Sequence, residues 1–561
     1  MNSRSNNGAS LPYFGNVSSG RWQGGNNGNN TNSNSNSNNG VSNTRRLSPA
    51  KFLVFLGLCV VSLLALSRIF TPAIDGPIDK PGQMEEPADD MEQRQIVQQI
   101  LDSRKSSYSF DDFTAEGLAK PDNEHLLPTT AVLLGWKRID GLKLIVNYLA
   151  RYPYIKQIIV WNNNRDIKLS KRDFVFDSQY GPRPELQVYN AAENLHDIAK
   201  YMSCSLAKYK HCYIQDDDWL NTHMDALYTN FLTSPGLLHT NTQPLIQMEH
   251  RRWTFTNENC DMHTGFSWLG TGSYIPQEKA QRLLTQRGNS TLSMDRSKVI
   301  DMYFSIWTNQ YPYQLVNYLT ELDQKKEWSN EEVDSHWSTV FINMLDAADR
   351  LYSALVGNFE VTDKDYFART QERPYVEDRH ARSPCHNDRC LFMTSIDPFP
   401  APKEIVFKGD IMTIDEQNAK FLELDYPTNQ FWATLSYVHA VDNDPLTCWN
   451  SFKIPQAGDS FGLRFVKPTL LKYLTVTSSK SLTSLEGQIT VLVSDRKGEH
   501  WTTCTHTIKY PFVHTMTLDI ICPSAGPTDS SGLVDIVKIQ FDNALEKSLE
   551  ICGMDASGMI L

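Results

Sequence analysis

The chain has no surplus of positive charge. Its 53 Lys and Arg stand against 65 Asp and Glu over 561 residues, which argues against a general nucleic-acid binder. Histidines at metal-ligand spacing are missing too: His196 and His263 have no second ligand at a suitable interval, and structural roles suit them better. Apolar residues are scarce in the first 47 positions, where Asn, Ser and Gly dominate, as in Asn26-Asn27-Gly28-Asn29-Asn30. So little apolar surface cannot offset chain entropy, and residues 1–47 are expected to be disordered.

Long apolar runs are equally rare, which makes the one at 52–70 conspicuous. A helix over Phe52 to Phe70 would rise about 28 Å, enough for a thin bilayer. Arg68 lies near its far end and can snorkel to the interface. Arg45, Arg46 and Lys51 flank the N-terminal side and Asp75 follows the other, so the positive-inside rule leaves the N-terminus cytosolic and the rest luminal. The leader before the run is long and polar, and no small-residue cleavage site follows, which fits an anchor better than a cleaved signal. Golgi or endoplasmic reticulum membrane is the expected location. Of the 10 cysteines only Cys59 falls inside the run, and an oxidising lumen would allow the others to form disulfides. Cys385 and Cys390 are close enough for a local bridge, and Cys448, Cys504, Cys522 and Cys552 could form two more, with the pairing open. Asn289-Ser290-Thr291 is a glycosylation sequon.

Residues 71–127, rich in Pro, Asp, Glu and Gln, read as a stem. From Thr130 the pattern turns regular. Ala131 to Gly135 and Ile158 to Trp161 read as buried strands, Leu142 to Leu149 and Asn194 to Leu206 as helices, and Tyr213-Ile214 as a further strand. Strands alternating with helices imply a mainly parallel α/β sheet, whose ligands bind beyond the strand C-termini. Trp136-Lys137-Arg138, Asn162-Asn163-Asn164 and Asp216-Asp217-Asp218 all fall at such ends. Three adjacent carboxylates repel one another, so a fold that gathers them calls for a cation. Oxygen ligands on a loop suit Mg²⁺ or Mn²⁺, with water and substrate phosphate completing the octahedron. A solvated acidic turn is the alternative reading of the same residues.

Ala131 to Asn163, including Arg138 and Ile158-Ile159-Val160-Trp161-Asn162-Asn163, followed by Asp216-Asp217-Asp218, resembles the exostosin-type glycosyltransferase domain. The resemblance covers residues 128–395 and lacks the separate N-terminal half of the larger members. It implies a GT-A nucleotide-sugar fold and transfer of an N-acetylhexosamine from a UDP-sugar, with retention, using Mn²⁺. It also implies that Arg138, Asn162 and Asn163 border the uridine, that Asp216 and Asp217 lie near ribose and donor sugar, and that Asp218, with Asp216, holds the metal. From the residues alone, a surface charge is the lesser reading of Arg138, and a turn is an equal reading of Asn162-Asn163.

In Phe266 to Ser273, Gly270 and Gly272 would let backbone approach a ligand, and Trp268 could stack on a sugar or serve the core. The resemblance assigns Thr271 and Gly272 to the donor-sugar and acceptor cleft. Asp301 opens an apolar, aromatic helix, where it could simply cap. The resemblance makes it the catalytic carboxylate, with Asp334 or Glu332 as substitutes. Arg382 stands where the resemblance expects an arginine for the diphosphate, and Arg389 is its alternative.

After residue 396 the helical periodicity fades. Short runs at Phe461 to Phe465, Leu471 to Val476, Ile489 to Val493 and Val534 to Phe541 suggest an antiparallel β-sandwich over 396–561. Ala440-Val441-Asp442 with Thr447-Cys448-Trp449 resembles the discoidin-like fold, which implies that Trp449 is core and that variable loops bind glycans or lipid headgroups. The combined expectation is a type II membrane glycosyltransferase moving a hexosamine or related sugar from a UDP-sugar to a glycan or glycoprotein, with oligomeric state open. Two other classes are a non-catalytic lectin using Ca²⁺ at the triplet, and a metal-dependent phosphoryl or nucleotidyl transferase.

Overall fold

Thr129–Gly135 (β1) is apolar on both faces, and its side chains alternate between two cores. Ala131 and Leu133 join one, and Val132 joins the other. That is the signature of a strand covered on both sides. Helix α2 (Ile139–Leu149) supplies Leu142, Ile145 and Leu149 to the first core, and α4 (Met224–Phe231) adds Leu227 and Phe231. Helix α3 (Ile198–Ser205) supplies Tyr201 and Cys204 to the second, joined by Leu283 of α5 (Gln277–Asn289) and most of α6 (Ile300–Trp307). The computed structural model describes residues 88–322 apart from 177, then 333–357, 379–400, 406–409, and 432–557 apart from 497 and 524–532. The expected tail at 1–47 and anchor at 52–70 lie outside them. Among the described residues no helix is long and apolar enough to cross a membrane.

The sheet has seven strands in the order β8-β6-β7-β4-β1-β2-β3. With β1 already defined, these are β2 (Ile155–Asn162), β3 (Glu185–Asn190), β4 (His211–Gln215), β6 (His239–Thr242), β7 (Ser273–Pro276) and β8 (Tyr313–Val316). Strand β7 is antiparallel to both β4 and β6, and all other neighbours are parallel. The ends of β1, β2, β4, β6 and β8 therefore share one edge. Two short strands beyond it, β5 (Trp219–Leu220) and β9 (Thr320–Glu321), pair with each other.

The stem expected over 71–127 needs correction in its described part. Helix α1 (Ala88–Ser103) buries Val97 and Leu101, and Tyr108, Phe113 and Leu126 enter the β1–β2 core. Arg151 donates to the Leu101 carbonyl at 2.6 Å, and the Tyr108 hydroxyl meets Thr229 Oγ1 at 2.9 Å. Aromatic burial outweighs the polar composition of the segment.

The second sheet has nine antiparallel strands and curls into a sandwich around Trp432, Tyr437 and Trp449. Trp449 is fully buried, its ring 5.0 Å from Phe392. In sheet order the strands are β10 (Ala381–Pro384), β11 (Cys390–Thr394), β12 (Ser460–Leu470), β17 (Leu533–Phe541), β14 (Ile489–Ser494), β15 (Trp501–Phe512), β16 (Thr515–Ile521), β13 (Tyr473–Thr477) and β18 (Gly553–Ala556). Because β11 pairs with β12 along its length, the sandwich begins before residue 396, and the boundary drawn at 395/396 falls inside this sheet. The two parts also share apolar contacts: Met248 and Val316 join the sandwich core, while Leu391, Val466 and Ile536 join the α/β core. Disulfides join Cys204–Cys212, Cys385–Cys390, Cys448–Cys552 and Cys504–Cys522. The first fastens α3 to β4.

Candidate functional site

Loops at the shared strand edge are tied together by asparagines. Asn162 Nδ2 donates to the Asn164 carbonyl (3.1 Å), the Ile167 carbonyl (2.6 Å) and Asn190 Oδ1 (2.9 Å). Asn163 Oδ1 accepts from the Leu195 N–H (3.2 Å), and its Nδ2 donates to the His196 carbonyl (3.3 Å). Asn164 Nδ2 donates to the Trp136 carbonyl at 3.0 Å. The run therefore clamps the ends of β1 and β2 to the segment before α3. The Asn162 amide donors are spent on this loop, so the expected uridine contact cannot come from them.

Strand β4 delivers its three carboxylates into this setting. Arg138, at the start of α2, places Nη1 3.3 Å from Asp217 Oδ1 and 3.6 Å from Asp218 Oδ2. The Trp136 N–H donates to Asp217 Oδ2 at 3.3 Å. Burial raises the Asp217 carboxyl against the pull of Arg138. Asp218 is pushed up to about 7, first by burial and then by Asp216 and Asp217. Asp216 takes Lys200 Nζ on Oδ2 at 3.0 Å, while its Oδ1 is buried with no hydrogen-bond partner. Its backbone N–H donates to the Gly270 carbonyl at 2.8 Å.

Lys200, only 2% exposed, is the centre of the arrangement. Its Nζ lies 2.8 Å from Asp301 Oδ2 and 3.2 Å from Asp197 Oδ1, besides Asp216. Three carboxylates use all three ammonium protons. Burial would lower this lysine, but Asp197, Asp216 and Asp301 hold it well above its ordinary value. The same crowding, after burial, pushes Asp197 up to about 7. Asp301, 3% exposed, takes the Tyr201 hydroxyl on Oδ1 at 2.8 Å. Burial raises its carboxyl while Lys200 opposes the shift. Asp301 stands in the first turn of α6 behind Val299, which is the N-cap, so it has no capping role.

The structure thus brings Arg138, Asp216, Asp217, Asp218 and Asp301 into one connected cluster. Thr271 and Gly272 border it structurally: Thr271 Oγ1 donates to the Asn241 carbonyl (2.9 Å), and the Asn241 N–H donates to the Gly272 carbonyl (3.1 Å). Gly272 has φ +104°, and a Cβ there would meet the Tyr213 hydroxyl at 2.7 Å. Gly270 lets backbone approach the Asp216 carboxylate, with which a Cβ would collide; the expected close approach is to a side chain of the site itself. Trp268 packs edge-on to Phe266 at 5.0 Å.

Arg382 is engaged elsewhere. It donates to the Thr394 carbonyl at 3.2 Å, lies 3.5 Å from Asp397 and sits over the Tyr437 ring. Arg389 is exposed, and Glu332 lies outside the described residues. Lys200, Tyr201 and Asp197 went unread in the sequence. The available signal was a lysine between Ala199 and Tyr201 on the apolar face of a helix, where a charge needs a partner.

Among the described residues no three His, Cys, Asp or Glu side chains converge as a complete metal cage. One or two carboxylates, with diphosphate oxygens and water, suffice for Mg²⁺ or Mn²⁺. The orphaned Asp216 Oδ1 and the crowded Asp218 fit that donor set.

No family model matches this chain, and no curated protein does either. Solved structures similar to parts of it include the CBM32-1 and CBM32-2 domains of Clostridium perfringens ZmpB in complex with GalNAc, at 14% identity over 21% of this chain and 28% of that one, TM-score 0.17. A second is the mannosyltransferase PcManGT from Pyrobaculum calidifontis in complex with GDP-Man and Mn²⁺, at 10% identity over 49% and 75% of the two chains, TM-score 0.28. A third is mannosyl-3-phosphoglycerate synthase from Rubrobacter xylanophilus, at 14% identity over 47% and 86%, TM-score 0.25. The described residues form an α/β domain on a seven-stranded mixed sheet joined to a nine-stranded antiparallel sandwich.

Proposed function

We propose that the chain is a metal-dependent glycosyltransferase that takes a hexosamine or related sugar from a UDP-sugar, with retention, and passes it to a glycan or glycoprotein. The single observation that carries this reading is the buried cluster of Asp197, Asp216 and Asp301 around one ammonium, with Asp217 and Asp218 sharing one guanidinium. Carboxylates outnumber cations, so the strand edge is short of positive charge that a divalent ion would supply. Asp216 and Asp218 would hold Mn²⁺ or Mg²⁺, which when bound neutralises the departing diphosphate.

The residues of the chain then divide the remaining work. Arg138 orients Asp217 and Asp218. Lys200 and Tyr201 fix both oxygens of Asp301, whose negative charge stabilises the positive character developing at the anomeric carbon. The polar clamp of Asn162, Asn163 and Asn164 keeps the strand-end loops in register around the nucleotide. A single-pass anchor at 52–70 would place this domain in the lumen of the Golgi or endoplasmic reticulum.

Incubating the full chain with UDP-GlcNAc, UDP-GalNAc or UDP-Glc and Mn²⁺ tests the reading. Release of UDP from at least one donor, abolished by EDTA and by Asp218→Ala, is the expected result. No release from any donor, or release indifferent to both EDTA and Asp218→Ala, overturns it.

A further inference from the structure

Strand β8 ends at the same edge as the acidic triplet, since β8 and β4 run in the same direction. Beyond β8, Asn317 Nδ2 donates to Asn241 Oδ1 at 2.7 Å, and Tyr318 stands 51% exposed. The chain then returns along β5, with Glu321 opposite Trp219 and the Leu322 N–H donating to the Asp218 carbonyl at 2.9 Å. Half-buried Trp219 immediately follows Asp218. Two aromatic side chains therefore stand along the segment that brackets the candidate site.

The sandwich holds one of them. The Tyr318 hydroxyl lies 3.2 Å from His439 Nε2. His439 Nδ1 faces Asp442 Oδ2 at 2.8 Å, Nε2 faces the Ala433 carbonyl at 2.9 Å, and Thr447 Oγ1 donates to the same Asp442 oxygen at 2.7 Å. Asp442 before Nδ1 and the Ala433 carbonyl and Tyr318 hydroxyl before Nε2 hold the ring in place. The hydroxyl, held at the imidazole edge, carries the phenol's one proton. Burial, with Asp442 adding to it, pushes the phenol up to about 12, so that proton stays in place at neutral pH.

An exposed aromatic ring with a fixed hydroxyl suits a pyranose, whose C–H face packs on the ring while its polar groups hydrogen-bond at the rim. We propose that Trp219 and Tyr318 form the acceptor-saccharide subsite, and that the β-sandwich completes it by fixing Tyr318 through His439 and Asp442. The proposal rests on the glycosyltransferase reading and adds the acceptor side of the same site.

The test is saturation-transfer NMR on the full chain with UDP and Mn²⁺, using methyl β-galactoside, methyl β-N-acetylglucosaminide and methyl α-mannoside as probes. At least one probe should bind, and Trp219→Ala and Tyr318→Ala should each weaken it about tenfold. Tyr318→Phe, which keeps the ring and removes only the O–H, should weaken it less, and UDP affinity should be unchanged in all three variants. Binding of none of the probes, or equal affinity in wild type and both alanine variants, overturns the subsite while normal UDP binding leaves the transferase reading standing. Failure of the wild type to bind UDP overturns the transferase reading and the subsite with it.

Discussion

Lys200 Nζ reaches Asp301 Oδ2 at 2.8 Å and Asp216 Oδ2 at 3.0 Å, so one buried ammonium links the carboxylate of α6 to the first carboxylate beyond β4. The two oxygens can stand no farther apart than these two contacts laid end to end.

Removing that ammonium strands buried like charges. Lys200→Met should destabilise the chain by about 3–5 kcal/mol, read as a shift in the urea midpoint. In the double variant Lys200→Met/Asp301→Asn, much of the loss should return, because one of the repelling carboxylates is gone. Additive losses in the two variants would contradict a direct coupling.

Gly270 offers a sharper probe of the site than of the fold. A methyl group there would collide with the Asp216 carboxylate, and Gly270→Ala should cut the transfer rate about a hundredfold through displacement of that group. Gly458, at φ +90° with nothing within 4 Å of its would-be Cβ, is the control. Gly458→Ala should cost about 1 kcal/mol of backbone strain and leave the rate unchanged.

A second pair of buried carboxylates predicts a pH dependence of stability. Asp388, in the turn closed by Cys385–Cys390, accepts the N–H groups of Asp225 and Ala226 at 2.9 Å each. Asp225 itself accepts from Ser106 Oγ at 2.8 Å and the Tyr154 hydroxyl at 3.0 Å. Burial pushes Asp225 up from 3.8 to about 6, and burial with the neighbouring Asp225 charge raises Asp388 further. Between pH 4 and 6 the fold retains a proton that the unfolded chain has lost, so stability falls as pH rises through that window. The Asp225 part amounts to about 3 kcal/mol. Thermal melts should show Tm declining from pH 4 toward 6, with a flatter profile in Asp225→Asn. Identical slopes in the two proteins would refute this.

The disulfides should rank by loop length. Cys448–Cys552 spans 104 positions and Cys385–Cys390 spans 5, so by chain entropy their removal costs about 4.7 and about 2 kcal/mol respectively. Denaturation of Cys→Ser pairs checks the order.

Strand-end placement was legible because hydrophobic runs mark buried strands and carboxylates cannot continue them: the sheet does end β4 just before Asp216. Lys200 was not legible, since helical periodicity records only a polar residue and cannot say that Asp216 and Asp301, far away in sequence, converge on it. Arg382 shows the converse. The family resemblance suggested a phosphate partner for it, while strand pairing carried it to Asp397 and Tyr437. The hairpin of β15 and β16 was also missed. Its alternation of Thr, His and Lys with apolar residues is weak because one face is solvated.

Local order alone settled the class of the chain: alternating apolar runs make an α/β sheet, and short strands between turns make a sandwich, because hydrophobic period dictates which faces must be covered. Which charges meet was decided only when strands far apart in sequence were laid side by side. Coulomb partners are chosen by distance in space: Asp197 stands three residues before Lys200 and Asp442 three after His439, but Asp216 and Asp301 reach that ammonium, and Tyr318 that imidazole, only through the tertiary fold.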